Sequence, residues 1–208
     1  GQMALVEMVH KALVNRLEIQ YWYSAYPEID GQKIIQPLIG LGLPRTGSTA
    51  FFQMLSMDSS IRTIRSWEGV KPCPPPIAGE EENDFRVVAA REELETRYRE
   101  NPKLKTMLPS TATSSLECGI LMSYEFKSNL YSAMLHIPSY SSWLVNEADM
   151  VSSYQFLRRV LKLLQWRCPP QRWRLKSPPH SQFIDALDKV FPDAKFWVTH
   201  RDICKVIP

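Results

Sequence analysis

Apolar residues recur at helical spacing near the start of the chain and again in its second half. The first stripe predicts an amphipathic helix over residues 3–23, and a second stripe predicts another helix over residues 154–164. Residues 84–100 carry many charges and predict a helix with a solvated face, and residues 114–127 also look helical. The residues of the first stripe are Leu5, Val9, Leu13 and Leu17.

Short apolar runs bounded by turn residues predict the strands of a buried sheet. Residues 34–42 form the first run, with Pro37 near its start. Two more strands are predicted from RWRLK, residues 172–176, and from KFWVTHRD, residues 195–202. A helix is predicted between them over residues 180–191. Strand, helix and strand joined by short links predict an α/β protein whose central sheet is parallel and flanked by helices.

The length of 208 residues suits a single domain. We divide it into an N-terminal helical segment, residues 1–33, and an α/β core, residues 34–208, which carries a helical insertion at about residues 70–166. The insertion begins with KPCPPPIAGEEE, residues 71–82. Its four prolines exclude a regular helix or a central strand, so this segment is either an ordered, extended wall or a mobile loop.

Composition narrows the classes of protein. Hydrophobic residues at 44% and charged residues at 23% are ordinary for a soluble globular protein, and a net charge of +3 gives no reason to expect a nucleic-acid partner. The four cysteines are widely spaced without a C-x-x-C pair, so we expect a reduced, cytoplasmic protein. The longest apolar run is too short to span a membrane, and no candidate residue has metal-ligand spacing. The oligomeric state stays open.

The ends of the three predicted strands carry cationic and hydroxyl side chains. Ligands bind beyond the carboxyl ends of parallel strands, so residues 45–49, 176–180 and 200–201 are expected to converge on one crevice. The first of these segments begins a helix, whose N–H groups and dipole suit an anion. A triphosphate-binding P-loop would have lysine where Ser48 stands. Arg45 and the neighbouring hydroxyls therefore suit a smaller anionic group, such as a 5′-phosphosulfate.

The turn GLPRTGST, residues 42–49, resembles the 5′-phosphosulfate-binding loop of sulfotransferases. FPDAKFWVTHRD, residues 191–202, is similar to the 3′-phosphate-binding strand of that family. Four further motifs follow the order seen in the bacterial, mycobacterial-type branch: SWEGVKPCPPP, LECGIL, YSSWL and RWRLKSPPH. The resemblance covers residues 34–208. It implies a three-layer, P-loop-like fold and transfer of a sulfuryl group from 3′-phosphoadenosine 5′-phosphosulfate (PAPS), without a metal ion, to a hydroxyl of a small-molecule, lipid or carbohydrate acceptor.

The same resemblance gives the donor-binding residues. Arg201 would bind the 3′-phosphate, and the family usually pairs this arginine with a serine eight residues later, which would be position 209. The chain ends at Pro208, so we expect the C-terminal part of the domain, with the segment that closes over the adenine, to be absent. The residues that would surround the 5′-phosphosulfate are Arg45, Thr46, Gly47, Ser48 and Thr49.

Sulfuryl transfer needs a base near the acceptor hydroxyl and a cation for the charge that builds on the leaving oxygen. Glu68 is the first candidate base, because glutamate bases of sulfotransferases lie at a similar distance in sequence from the anion loop. His180 is the rival, because imidazole titrates near neutral pH. Lys176, at a strand end, is the candidate cation. Glu117 either orients the acceptor or pairs within a helix, and we favour the structural role.

Two other interpretations stay open. The first is a nucleotide kinase or NTPase with a degenerate P-loop, which would prefer magnesium-bound ATP over adenosine 3′,5′-bisphosphate. The second is a nucleotide-binding protein that keeps the anion loop but has lost turnover. It would bind the bisphosphate and transfer no sulfate to any acceptor.

Overall fold

A computed structural model describes residues 2–58, 60–107, 110–168 and 172–206. A parallel four-stranded sheet lies at its centre. The strands are β1 (Leu38–Leu41), β2 (Ile61–Arg62), β3 (Arg172–Lys176) and β4 (Lys195–Val198), and their order in the sheet is β2-β3-β1-β4. Ile39 of β1 pairs with Leu175 on one side and with Phe196 on the other. The predicted α/β class with a parallel sheet is confirmed.

Helices flank this sheet. They are α1 (Gln2–Ala25), α2 (Ser48–Leu55), α3 (Ser66–Val70), α4 (Phe85–Glu100), α5 (Pro102–Met107), α6 (Cys118–Met122), α7 (Asn129–Met134), α8 (Pro138–Asn146), α9 (Met150–Gln165) and α10 (Ile184–Val190). Short 3-10 turns cover Pro27–Gly31, Glu81–Asn83, Ser123–Glu125, Pro178–Gln182 and Ile203–Lys205. None of the helices in the described part of the chain is long and apolar enough to cross a membrane.

Helix α9 is the centre of the hydrophobic core, as its sequence pattern predicts. Its apolar stripe is buried against Trp173 and Leu175 of β3 and against α6 and α10. The Asp149 carboxylate caps the helix by accepting a hydrogen bond from the Val151 N–H at 3.0 Å. Nε1 of Trp173 in β3 also donates a hydrogen bond to Oε1 of Gln165 in α9 at 2.9 Å, which links the strand to the helix. The buried residues of the stripe are Tyr154, Leu157, Val160, Leu161 and Leu164.

The helix predicted over residues 3–23 is present as α1, but the stripe that predicted it is not its buried face. Leu13 and Leu17 are exposed, whereas Ala12 and Ile19 are buried in the core. Asn15 lies on the buried side and donates a hydrogen bond to the carbonyl oxygen of Val70 at 3.0 Å. A small and a polar side chain share this face with Ile19, and hydrophobicity alone could not predict their burial.

Several boundaries also differ from the sequence prediction, among them the end of β4, which is Val198 rather than residue 202. The continuous helix expected over residues 114–127 is instead the short helix α6 and a 3-10 turn, and the turn ends at Phe126, whose φ of 55° cannot continue a helix. The strand expected over residues 34–42 begins only after Pro37. Of the two alternatives for residues 71–82, the extended wall fits the structure, because Pro75 and Pro76 are buried.

Strand β1 approaches β4 closely at Gly40. A Cβ atom at this position would lie 2.2 Å from Cζ2 of Trp197, so the indole fits only against a glycine. The same indole makes an edge contact with Phe51 of α2, with 5.0 Å between ring centroids. This packing fixes helix α2, and with it the turn that precedes the helix, against the edge of the sheet.

Candidate active site

The turn between β1 and α2 has an unusual backbone. Gly42, Arg45 and Gly47 have φ values of 120°, 66° and 87°. Left-handed backbone is uncommon for a residue such as arginine and is often retained at ligand-binding sites. The Thr46 hydroxyl braces the turn, donating to the Leu43 carbonyl oxygen at 2.8 Å. A hydrogen bond within the turn therefore supports this backbone conformation.

Helix α2 begins directly at this turn, with Gly47 as its N-cap. Its first hydrogen bond runs from the Phe51 N–H to the Gly47 carbonyl oxygen at 3.1 Å. The N–H groups of Ser48, Thr49 and Ala50 precede that bond and have no acceptor within the helix. Together with the helix dipole, they make this end of α2 suitable for an anion.

Lys176 brings a buried cation to the same turn. It is the last residue of β3 and only 3% exposed. Its Nζ atom donates to Oγ1 of Thr49 at 3.2 Å and to Oε1 of Glu117. The loop lacks the lysine of a triphosphate-binding P-loop, yet a neighbouring strand supplies a lysine to the first turn of α2.

The end of β4 also reaches the anion turn. The hydroxyls of Thr46 and Thr199 lie 2.7 Å apart, and Nη1 of Arg201 donates to the carbonyl oxygen of Arg45 at 3.4 Å. On the other side, Ser181 accepts a hydrogen bond from the N–H of Gly42 at 2.8 Å. The structure therefore brings the three predicted strand ends together at one edge of the sheet.

Glu68 lies inside the protein and is fully paired. Its carboxylate accepts hydrogen bonds from the Arg62 guanidinium at 2.5 and 2.9 Å and from the Arg65 N–H at 3.0 Å. Burial acts to lower the pKa of Arg62, but Glu68 outweighs that effect and leaves the pKa raised. Since Glu68 is 0% exposed, it could accept a proton from an acceptor only after releasing Arg62. Its role as base stays a prediction.

His180 is enclosed in the 3-10 turn after β3. Its Nδ1 atom is 2.8 Å from the Tyr154 hydroxyl, and its buried Nε2 atom has no hydrogen-bond partner in the described part of the chain. Burial lowers the pKa of His180 to about 3, so the imidazole is neutral at physiological pH. A neutral imidazole can accept a proton, but a substrate would have to reach a side chain that is 1% exposed. This role also stays a prediction.

Glu117, for which the sequence favoured a structural role, lies at the site beside Lys176. It is the N-cap residue of α6, and its pairing with Lys176 joins positions 59 apart in the sequence. No spacing rule relates residues so far apart, and only the fold brings them together. Its side chain is 44% exposed, in contrast to the enclosed Glu68.

Two of the cavities lined by described residues lie beside residues 116–120. One of about 540 Å³ lies between α3, α4 and the segment before α6, with Trp67, Phe85 and Leu116 in its wall. The other, of about 230 Å³, is lined by Glu117 and Ser177 together with apolar side chains of α6 and α7. Within the described residues, no group of three or more His, Cys, Asp or Glu side chains could hold a metal ion.

Comparisons with known proteins identify the family and support the fold. The model of the Sulfotransferase family matches residues 37–208. Sulfotransferase STF9 from Mycobacterium avium is 34% identical with a TM-score of 0.88, and the match covers 96% of this chain and 51% of that one. Sulfotransferase STF1 from Mycobacterium tuberculosis H37Rv is 33% identical with a TM-score of 0.83, and the match covers 93% of this chain and 53% of that one. The chain thus spans about half the length of these structures. No curated protein matches significantly.

Proposed function

The chain belongs to the sulfotransferase family, and we propose that it transfers a sulfuryl group from PAPS to a hydroxyl of a small-molecule, lipid or carbohydrate acceptor. The observation that carries the proposal is the turn at residues 42–49, with its left-handed backbone and the N–H groups that follow it, next to the buried cation of Lys176. When bound, PAPS supplies the sulfuryl group and leaves as adenosine 3′,5′-bisphosphate.

The residues present fit such a donor. The N–H groups at the start of α2 and the side chains of residues 45–49 would hold the 5′-phosphosulfate, and Arg201 would hold the 3′-phosphate. Lys176 compensates negative charge at the leaving oxygen, since its ammonium already lies at Thr49 within the first turn of α2. We expect this chemistry to need no metal ion. The four cysteines are free, which supports a reducing compartment such as the cytoplasm.

A donor-binding experiment tests the proposal. Adenosine 3′,5′-bisphosphate should bind in the presence of EDTA, and ATP with magnesium should bind more weakly. Arg45→Ala should weaken bisphosphate binding by roughly 10- to 100-fold, because a charge-assisted contact is lost. Arg172→Ala is the matched control, since Arg172 is an exposed arginine at the opposite end of the sheet. Stronger binding of magnesium-bound ATP would favour the nucleotide kinase instead.

A transfer assay separates the enzyme from a nucleotide-binding protein without turnover. The full chain is incubated with PAPS that carries labelled sulfate and with a panel of phenols, alcohols, sugars and glycolipids. We expect labelled product with at least one acceptor class. Bisphosphate binding without product from any acceptor would support the binding protein.

A further inference from the structure

The carboxylate that faces the donor site is Glu117. Its Oε1 atom pairs with Nζ of Lys176, and the same Nζ atom lies 3.2 Å from Oγ1 of Thr49 in the anion turn. A single buried ammonium group therefore links Glu117 to the place where the phosphosulfate is proposed to bind. The Glu117 side chain is 44% exposed, so an acceptor can reach it without a change in the core.

The surroundings of Glu117 suit an acceptor with an apolar body. Glu117 stands at the wall of the 230 Å³ cavity, whose apolar lining includes Ile120, Leu130 and Ala133. This volume is below the usual range of about 300–1,000 Å³ for drug-sized ligands, so a compact ring such as a phenol fits the space. Ile120 also borders the 540 Å³ cavity, which gives a larger apolar acceptor room to extend.

We infer that Glu117 is the general base that takes the proton from the acceptor hydroxyl, with the acceptor body in the cavity beside α6 and α7. The inference rests on the proposed sulfuryl transfer. Glu68 is the poorer base in this structure, because both of its oxygens accept hydrogen bonds inside the core. Among the residues that the structure describes, the Glu117 carboxylate is paired with the ammonium of Lys176, which donor phosphates can draw away.

The transfer step balances with Glu117 and Lys176 in these roles. The acceptor oxygen forms a bond to sulfur while the bond from sulfur to the bridging phosphate oxygen breaks. The acceptor proton moves to a Glu117 carboxylate oxygen, and the electron pair of the broken bond stays on the phosphate. Lys176 lies between the two sites and compensates the charge on the phosphate as it develops.

The polar surroundings of Glu117 contain one charged group in direct contact with its carboxylate among the described residues. Lys176 of β3 is the charged side chain in contact with the Glu117 carboxylate among the residues that the structure describes. The adjacent Cys118 thiol is buried, which raises its pKa to about 12, so it stays protonated in the working range of pH. The other neighbours on its cavity wall, such as Ser177, do not titrate.

The first test compares Glu117→Gln and Glu68→Gln with two phenol acceptors and PAPS. For 4-methylphenol, with a pKa of about 10 like that of tyrosine, Glu117→Gln should lower kcat by roughly 100-fold or more. With both phenols assayed at mildly alkaline pH, 4-nitrophenol is largely ionised and needs no base, so its loss should be only a few-fold. Equal losses with both phenols, or a selective loss in Glu68→Gln instead, would overturn the inference.

A second test requires no turnover and decides the matter if neither phenol is sulfated. Calorimetric titration with adenosine 3′,5′-bisphosphate gives the affinities of the wild type, Glu117→Gln and Glu68→Gln. Glu117→Gln alone should bind the bisphosphate several-fold more tightly than the wild type, because the ammonium of Lys176 then has no carboxylate partner to leave when the ligand phosphate binds. Equal affinity of Glu117→Gln and the wild type would overturn the inference alone, whereas absence of bisphosphate binding by the wild type would overturn the proposed function as well.

Discussion

Replacing Glu68 with glutamine removes one charge from an ion pair that solvent does not reach. The side chains of Arg62 and Glu68 are 6% and 0% exposed, and two hydrogen bonds join them. Removing one partner of a buried pair costs about 3–5 kcal/mol, because the other charge is left without compensation. Glutamine keeps one acceptor oxygen, so we take about 3 kcal/mol. For a chain of this size, that lowers the melting temperature by about 6–12 °C.

Thermal unfolding followed by circular dichroism measures this change. The matched control is Glu7→Gln, which breaks an exposed ion pair with Lys11 on α1 and should leave the melting temperature unchanged. Adding Arg62→Met to Glu68→Gln should recover part of the loss, because the unpaired charge is then gone. If Glu68→Gln has the same melting temperature as the wild type, the carboxylate does not hold Arg62, and the structural role assigned to this pair is refuted.

Two more predictions concern stability. Buried His180 stays neutral down to a pKa of about 3 while the unfolded chain takes up the proton near pH 6.5, so stability should fall as pH falls through this window. Between pH 7 and 5 the loss is about 2 kcal/mol, at about 1.4 kcal/mol per unit. Urea unfolding of the wild type and of His180→Gln should differ by this slope, and parallel pH profiles would contradict it. Gly40→Ala should destabilise by about 1–3 kcal/mol, because its Cβ would collide with Trp197. Gly31→Ala should not destabilise the protein, because a Cβ at this position meets nothing within 4 Å. Equal melting temperatures of Gly40→Ala and Gly31→Ala would refute the steric argument.

The pattern of apolar and polar residues correctly predicted those elements whose burial follows from their own sequence. The parallel sheet followed from short apolar runs joined by a helix, and α9 followed from a dense stripe that packs on β3. The buried face of α1 was not predictable in this way, because Ala12 and Asn15 share it with Ile19, and their burial depends on size and on a hydrogen bond rather than on hydrophobicity alone.

The candidate site likewise has one part that the sequence could predict and another part that depends on the fold. The anion turn is contiguous in sequence, so its glycines and hydroxyls could be identified from the chain alone. The contact between Lys176 and Thr49 joins residues 127 apart, and the enclosure of Glu68 by Arg62 depends on tertiary packing. The sequence does not show whether a glutamate is buried in the core or exposed beside a cavity. Only the fold distinguishes Glu68 from Glu117.

The central claim is that residues 42–49 hold the 5′ end of a sulfonated adenylate. A crystal structure of the full chain with adenosine 3′,5′-bisphosphate tests it most directly. We predict that the 5′-phosphate accepts hydrogen bonds from the N–H groups of residues 48–50 and from Nζ of Lys176, with Arg201 at the 3′-phosphate. A bisphosphate bound elsewhere, with Lys176 still on Glu117 and the turn without ligand, would contradict the account.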